Sequence, residues 1–78
     1  MAVTPEGCRA GRAILKWSMR ELARQSGVAW TTIHRIEGGA VPRAGTAGKI
    51  AAAFAGRGVT LIGEGGLAGA VQVRAKPS

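Results

Sequence analysis

The sequence predicts a mainly α fold: four helices followed by a short C-terminal β segment of one or two strands. Three observations carry this reading. Ser18 to Gly39, SMRELARQSGVAWTTIHRIEGG, holds two short helical patterns separated by Gly27. Ala47, Ile50, Ala51 and Phe54 recur at i, i+3, i+4 and i+7, the apolar stripe of one helix face. From Gly58 the character changes to Val59-Thr60-Leu61-Ile62, a glycine-rich loop, then the alternating Val71-Gln72-Val73-Arg74.

Taken in order, Thr4-Pro5-Glu6 is a helix start: a capping hydroxyl, a proline in the first turn, and an acid near the positive end of the dipole. This first helix is expected from Pro5 to Leu15 or Lys16. Cys8 and Leu15, seven apart, share a face, and Cys8 reads as a small buried apolar residue. Trp17 is expected to pack at the corner between the first two helices. Ser18 and Glu21 form a capping box for the second helix.

Small Ala23, three residues, Gly27, apolar Val28, then Ile33 and Ile36 make up the signature of a helix-turn-helix. Ala23 is small because the next helix crosses it, and Gly27 supplies a left-handed turn. Ile33 and Ile36 pin the third helix, expected from Ala29 to Glu37 and stopped by Gly38-Gly39. Its free face then carries Trp30, Thr31, His34 and Arg35. A loop from Gly38 to Gly45 contains Pro42 and Arg43. The fourth helix begins at Ala44 or Thr46 and is ended by Gly56 and Gly58, with Phe54 in the core. Two strands about the glycine-rich loop are barely stable alone. They are expected to pair with the same strands of a second chain, with a hairpin folded on the fourth helix or a disordered tail as the alternatives. Lys76-Pro77-Ser78 is expected to fray. The organisation is thus residues 1–58 as a helical unit and 59–78 as a β segment and tail, a candidate dimerisation element.

At these residues the chain resembles the Cro/CI-type (XRE-like) helix-turn-helix regulators of bacteria and phages, whose DNA-binding domain has the four-helix lambda-repressor-like fold. Upstream, G-R-A-I-L-K-W-S resembles the end of the family's first helix. Downstream, I-E-G-G-A-V-P-R and T-A-G-K-I-A-A-A-F resemble its loop and fourth helix. The resemblance runs roughly from Glu6 to Ile62. It implies sequence-specific binding of double-stranded DNA, with the helix Ala29–Glu37 in the major groove. Trp30, Thr31 and Arg35 match the base-reading positions. Arginine suits the two acceptors of guanine, and threonine suits a thymine methyl or a base edge. Thr32, His34, Arg20 and Arg43 match positions that meet the groove or the phosphate backbone. Arg12 and Glu37 match a pair that clamps the first helix to the third. The chain departs from the family at four places. Met19 stands where a phosphate-holding glutamine is common, Ser26 where an apolar residue is usual, Ala29 where serine or threonine caps, and Trp30 is bulky for a reading position. At Met19 and Ala29 only backbone amides remain to hold a phosphate.

Composition sets the bounds. The chain has 78 residues and a net charge of +7, from eleven Lys and Arg against four acids, all glutamate. Such a length buries only about 60–65% of the unfolded surface, and glycine inside a helix costs about 1 kcal/mol relative to alanine. With 13 glycines the margin is thin, which favours a homodimer. The charge favours a polyanionic partner over a membrane surface, and no run approaches a membrane span. One cysteine and one histidine make neither a disulfide nor a metal site of the usual kind. No signal peptide is evident, so the cytoplasm is expected. No nucleophile–base pair or acid cluster marks an enzyme, and no cofactor or small-molecule effector is expected. The expectation is a DNA-binding regulator, a repressor acting as a dimer. Its rivals are an antitoxin or mobile-element control protein with a partner such as a toxin, or a protein-interaction module that has lost base reading.

Overall fold

A computed structural model describes residues 3–73, and Arg74 of the alternating pattern and the tail Lys76-Pro77-Ser78 lie outside them. Four helices precede a two-stranded antiparallel sheet: α1 (Pro5–Leu15), α2 (Met19–Ser26), α3 (Trp30–Glu37), α4 (Ala44–Ala55), β1 (Val59–Glu64) and β2 (Leu67–Gln72). The fold is mainly α.

The helix ends follow from local chemistry. Gly7 N–H donates to Thr4 Oγ1 at 2.9 Å, and Pro5 occupies the first turn, where its missing N–H costs nothing. Val3, just before the cap, and Cys8, one turn in, both belong to the core, the placement of a hydrophobic staple. Lys16 ends α1 in the left-handed region at φ 57°. The α2 capping box is half formed. Glu21 N–H donates to Ser18 Oγ at 3.0 Å, but the Glu21 carboxylate turns to Arg24 and Gln25. Those bonds, Arg24's first, hold that carboxyl below its usual range. Gly27 caps α2 at φ 73°. Ser26, where an apolar residue was the norm, closes the turn by itself: its hydroxyl donates to Leu22 O at 2.7 Å and accepts from Val28 N at 3.2 Å.

The core is assembled from all elements except β2, whose Ala70 packs against it. Cys8, Leu22, Val28, Ile33, Ile36, Ala47, Ile50, Phe54 and Val59 are buried. Trp17 does sit at the α1–α2 corner, and its indole also stacks on Phe54 with centroids 5.8 Å apart. Gly11, buried on α1, faces the same ring. A Cβ placed there would stand 2.7 Å from Phe54 Cε1. Glycine at position 11 is therefore what lets α1 and α4 approach.

The strands pair with each other, from Val59 opposite Gln72 to Glu64 opposite Leu67. Gly65 and Gly66, at φ 62° and 80°, make the two-residue turn, a conformation whose twist suits a hairpin. Val73 N–H extends the ladder to Gly58 O at 2.8 Å. The hairpin rests chiefly on α1, and β1 also meets α4. Leu61 and Ala70 face inward, while Leu67, Val71 and Val73 stand exposed.

Two outcomes are expected. Gly11→Ala should lower unfolding free energy by about 1–3 kcal/mol, because the Phe54 ring is wedged against Trp17 and cannot yield; a urea titration measures it. Burial pushes the Cys8 thiol up from 9.0 to about 11. The folded chain thus keeps a proton that the unfolded chain loses. This stabilisation is complete below about pH 9 and fades as pH rises to about 11, by roughly 2–3 kcal/mol. Urea midpoints at pH 8 and 11 should show that fall in wild type and a smaller one in Cys8→Ala.

Candidate nucleic-acid interface

Helix α3 has eight residues and two fully buried side chains, Ile33 and Ile36. A helix of that length has little stability of its own, so its position is set by what grips it. The grip is at its C-terminal end. Arg12 Nε donates to Glu37 Oε2 and Arg12 Nη2 to Glu37 Oε1, both at 2.7 Å. Arg12 Nη1 also reaches Trp17 O at 3.1 Å, and Arg9 Nη1 donates to the Glu37 carbonyl at 2.7 Å. The side chains of Arg12 and Glu37 are 19% and 6% exposed, so this pair is largely withdrawn from water. The bond to Glu37 holds the Arg12 guanidinium still more firmly in its charged form.

With that end fixed, the other side of α3 faces outward. Trp30, Thr31, His34 and Arg35 are exposed and Thr32 is half-buried. Ala29 caps the helix with no side-chain bond. Met19 packs against the core, so at the start of α2 it offers only backbone outward. Arg20, the next residue, is exposed, and its guanidinium carbon lies 5.2 Å from the Trp30 ring centroid. The His34 ring lies 5.6 Å from the same indole, tilted by 39°. Trp30 remains 39% exposed.

Arg43 is exposed at the start of α4. Together with Arg35, Thr32, Thr46 and the apolar Ile36 and Pro42 it lines a cleft of about 390 Å³ between α3 and the loop before α4. The structure thus places Trp30, His34 and Arg20 in one cluster and Thr32, Arg35 and Arg43 around one cleft. Met19, the neighbour of Arg20, packs against the core. Charge is segregated as well. Every Lys and Arg of the described residues lies at or before Arg57, while the hairpin carries only Glu64.

Sequence reasoning missed two contacts. Arg9 stands three residues before Arg12 and so shares its helix face, a spacing that signals a second arm toward the same target. The stacking of Arg20 on Trp30 depends on the angle between α2 and α3, for which the sequence holds no marker. No protein-family model matches the chain, and no curated protein matches it.

Arg12→Ala should cost about 3 kcal/mol, because it strands a carboxylate that is nearly closed off from water. Arg12→Met combined with Glu37→Met should recover at least half of that loss. Urea unfolding followed by far-ultraviolet circular dichroism gives both values.

Proposed function

We propose that this protein is a sequence-specific, double-stranded DNA-binding regulator of the Cro/CI type, a repressor that acts as a homodimer. The observation that carries the reading is the outward face of α3: a clamped helix presenting Thr31, His34 and Arg35, flanked by Arg20 and Arg43, in a chain of net charge +7. The left-handed Gly27 between α2 and α3 supports the helix-turn-helix assignment, and with it a lambda-repressor-like domain.

In this reading α3 enters the major groove. Arg35 donates to the paired acceptors of a guanine, and Thr31 meets a neighbouring base edge or methyl group. Arg43 and the backbone amides at the starts of α2 and α3 hold phosphates and set the register. Two-fold symmetry places two half-sites about one turn, roughly 34–36 Å, apart. Support for the dimer comes from the hairpin. Its edges carry no lysine or proline to discourage pairing, and Leu67, Val71 and Val73 stand exposed on it. A hairpin on each protomer gives an isologous contact that adds to a thin stability margin. Among the described residues no helix is long and apolar enough to cross a membrane.

Selection of bound duplexes from a random library at about 150 mM salt tests this, with Arg35→Ala as the control. The expected result is an enriched inverted repeat that the control fails to recover. On the recovered site, Arg35→Ala should cost about 1–3 kcal/mol and relax one base position, whereas Arg43→Ala should weaken binding to all sequences alike. Equal enrichment by wild type and Arg35→Ala would refute base reading by α3.

A further inference from the structure

Two oddities of the surface meet in one contact. Met19, at the first position of α2, turns inward and offers no polar side chain. Trp30, at the first position of α3, is too large to hydrogen-bond a base edge with more than one donor. Between them stands Arg20, whose guanidinium lies over the Trp30 ring at 5.2 Å. The other neighbour of the indole is His34, 5.6 Å away and one turn along α3. Trp30 thus has a side chain of its own domain against it in two directions, and it remains exposed beyond them.

We infer that Trp30 is a positioning residue: it fixes Arg20 as the phosphate clamp at the start of α2, the role that Met19 cannot fill. The inference rests on the DNA-binding reading and gives Trp30 a task other than base contact. The physics is that of a guanidinium on an aromatic face. Stacking uses the flat surface of the group and leaves its five N–H donors, all directed from the edge, free for an oxyanion. An unsupported arginine on a helix surface loses rotamer freedom when it grasps a phosphate. One that already rests over an indole has given up part of it beforehand, so less is lost for each hydrogen bond formed. Arg20 has no carboxylate partner among the described residues, in contrast to Arg12 and Arg24, which are engaged by Glu37 and Glu21. Its donors are therefore available, and its direction is set by Trp30. The chemistry recognised is a phosphodiester of the duplex backbone, independent of sequence.

The test compares Trp30→Ala, Trp30→Phe, Arg20→Ala and Trp30→Ala/Arg20→Ala with wild type. Each is titrated with the selected duplex and with a scrambled duplex of the same composition at several salt concentrations. Circular dichroism melts check that each variant keeps its fold, as expected for changes at exposed positions. Trp30→Ala and Arg20→Ala should each weaken both duplexes by the same factor, on the order of tenfold. Each should lower the slope of log affinity against log salt by about one phosphate contact. The double variant should bind no more weakly than the single ones, and Trp30→Phe should restore the slope. In a Trp17→Phe background, Arg20→Ala should also shift the emission of Trp30 without DNA, a signal from the contact alone. If Trp30→Ala keeps the wild-type salt slope and loses preference at one base pair, Trp30 is a base reader and the inference fails. If the two single losses multiply in the double variant, the residues act independently and it fails as well. A wild-type protein that binds no duplex would overturn the DNA-binding reading itself, an outcome distinct from either of these.

Discussion

The placement of α3 depends on the ion pair between Arg12 and Glu37, and the physics of that pair explains why the remaining contacts suffice. Two buried isoleucines attract the helix to the core, but dispersion and burial are non-directional and permit it to roll or slide. A planar guanidinium meeting a carboxylate through two parallel bonds fixes both distance and rotation. The desolvation of both charges makes the pair a weak source of net stability and a strong source of register. Arg9 strengthens the same end by satisfying the Glu37 carbonyl, which is left without an intrahelical partner. Fixing the last turn of so short a helix leaves Trp30 and Thr31 exposed at its other end.

Helix α1 is the hub through which these constraints are shared. One of its faces holds α3 through Arg9 and Arg12, another receives the Phe54 ring at Gly11, and a third carries the hairpin. Eleven residues therefore touch α3, the Phe54 ring of α4 and both strands. The arrangement suits a chain too short for a large core, because each turn of one helix contributes to more than one interface. It also means that the glycine at position 11 serves by absence: removing a side chain from α1 admits the largest ring of α4.

Much of this was legible in the sequence because it is local. Thr4, Ser18 and Gly27 mark helix ends through bonds within three or four residues, and the spacing of Ile33 with Ile36 and of Ile50 with Phe54 fixes the buried faces. The Arg12–Glu37 pair spans 25 residues and came only from resemblance, since no pattern of charge spacing predicts it. A hairpin folded on α4 was one alternative to pairing with a second chain; the hairpin forms, and it rests chiefly on α1 while β1 also meets α4. The polar residues Thr60 and Glu64 mark one face of the strands as outward, but nothing in the sequence distinguishes α1 from α4 as the support of the other. Pairing with a second chain was expected for the strands. They pair within the chain, because Gly65-Gly66 supplies a turn tight enough to close the hairpin. The Arg20–Trp30 contact was invisible for another reason: ten residues and a turn separate the two, and only the crossing of α2 with α3 brings them together.

The segregation of charge has a consequence at distances where no side chain touches anything. Among the described residues every Lys and Arg lies at or before Arg57 and the hairpin carries only Glu64, so this part of the molecule has an electric dipole that runs from sheet to helices. Near any dense array of negative charge it feels a torque as well as an attraction. The torque turns the hairpin outward within about a Debye length, roughly 8–10 Å, of the array. Orientation then precedes contact, and the search for a docked arrangement covers only a fraction of all rotations.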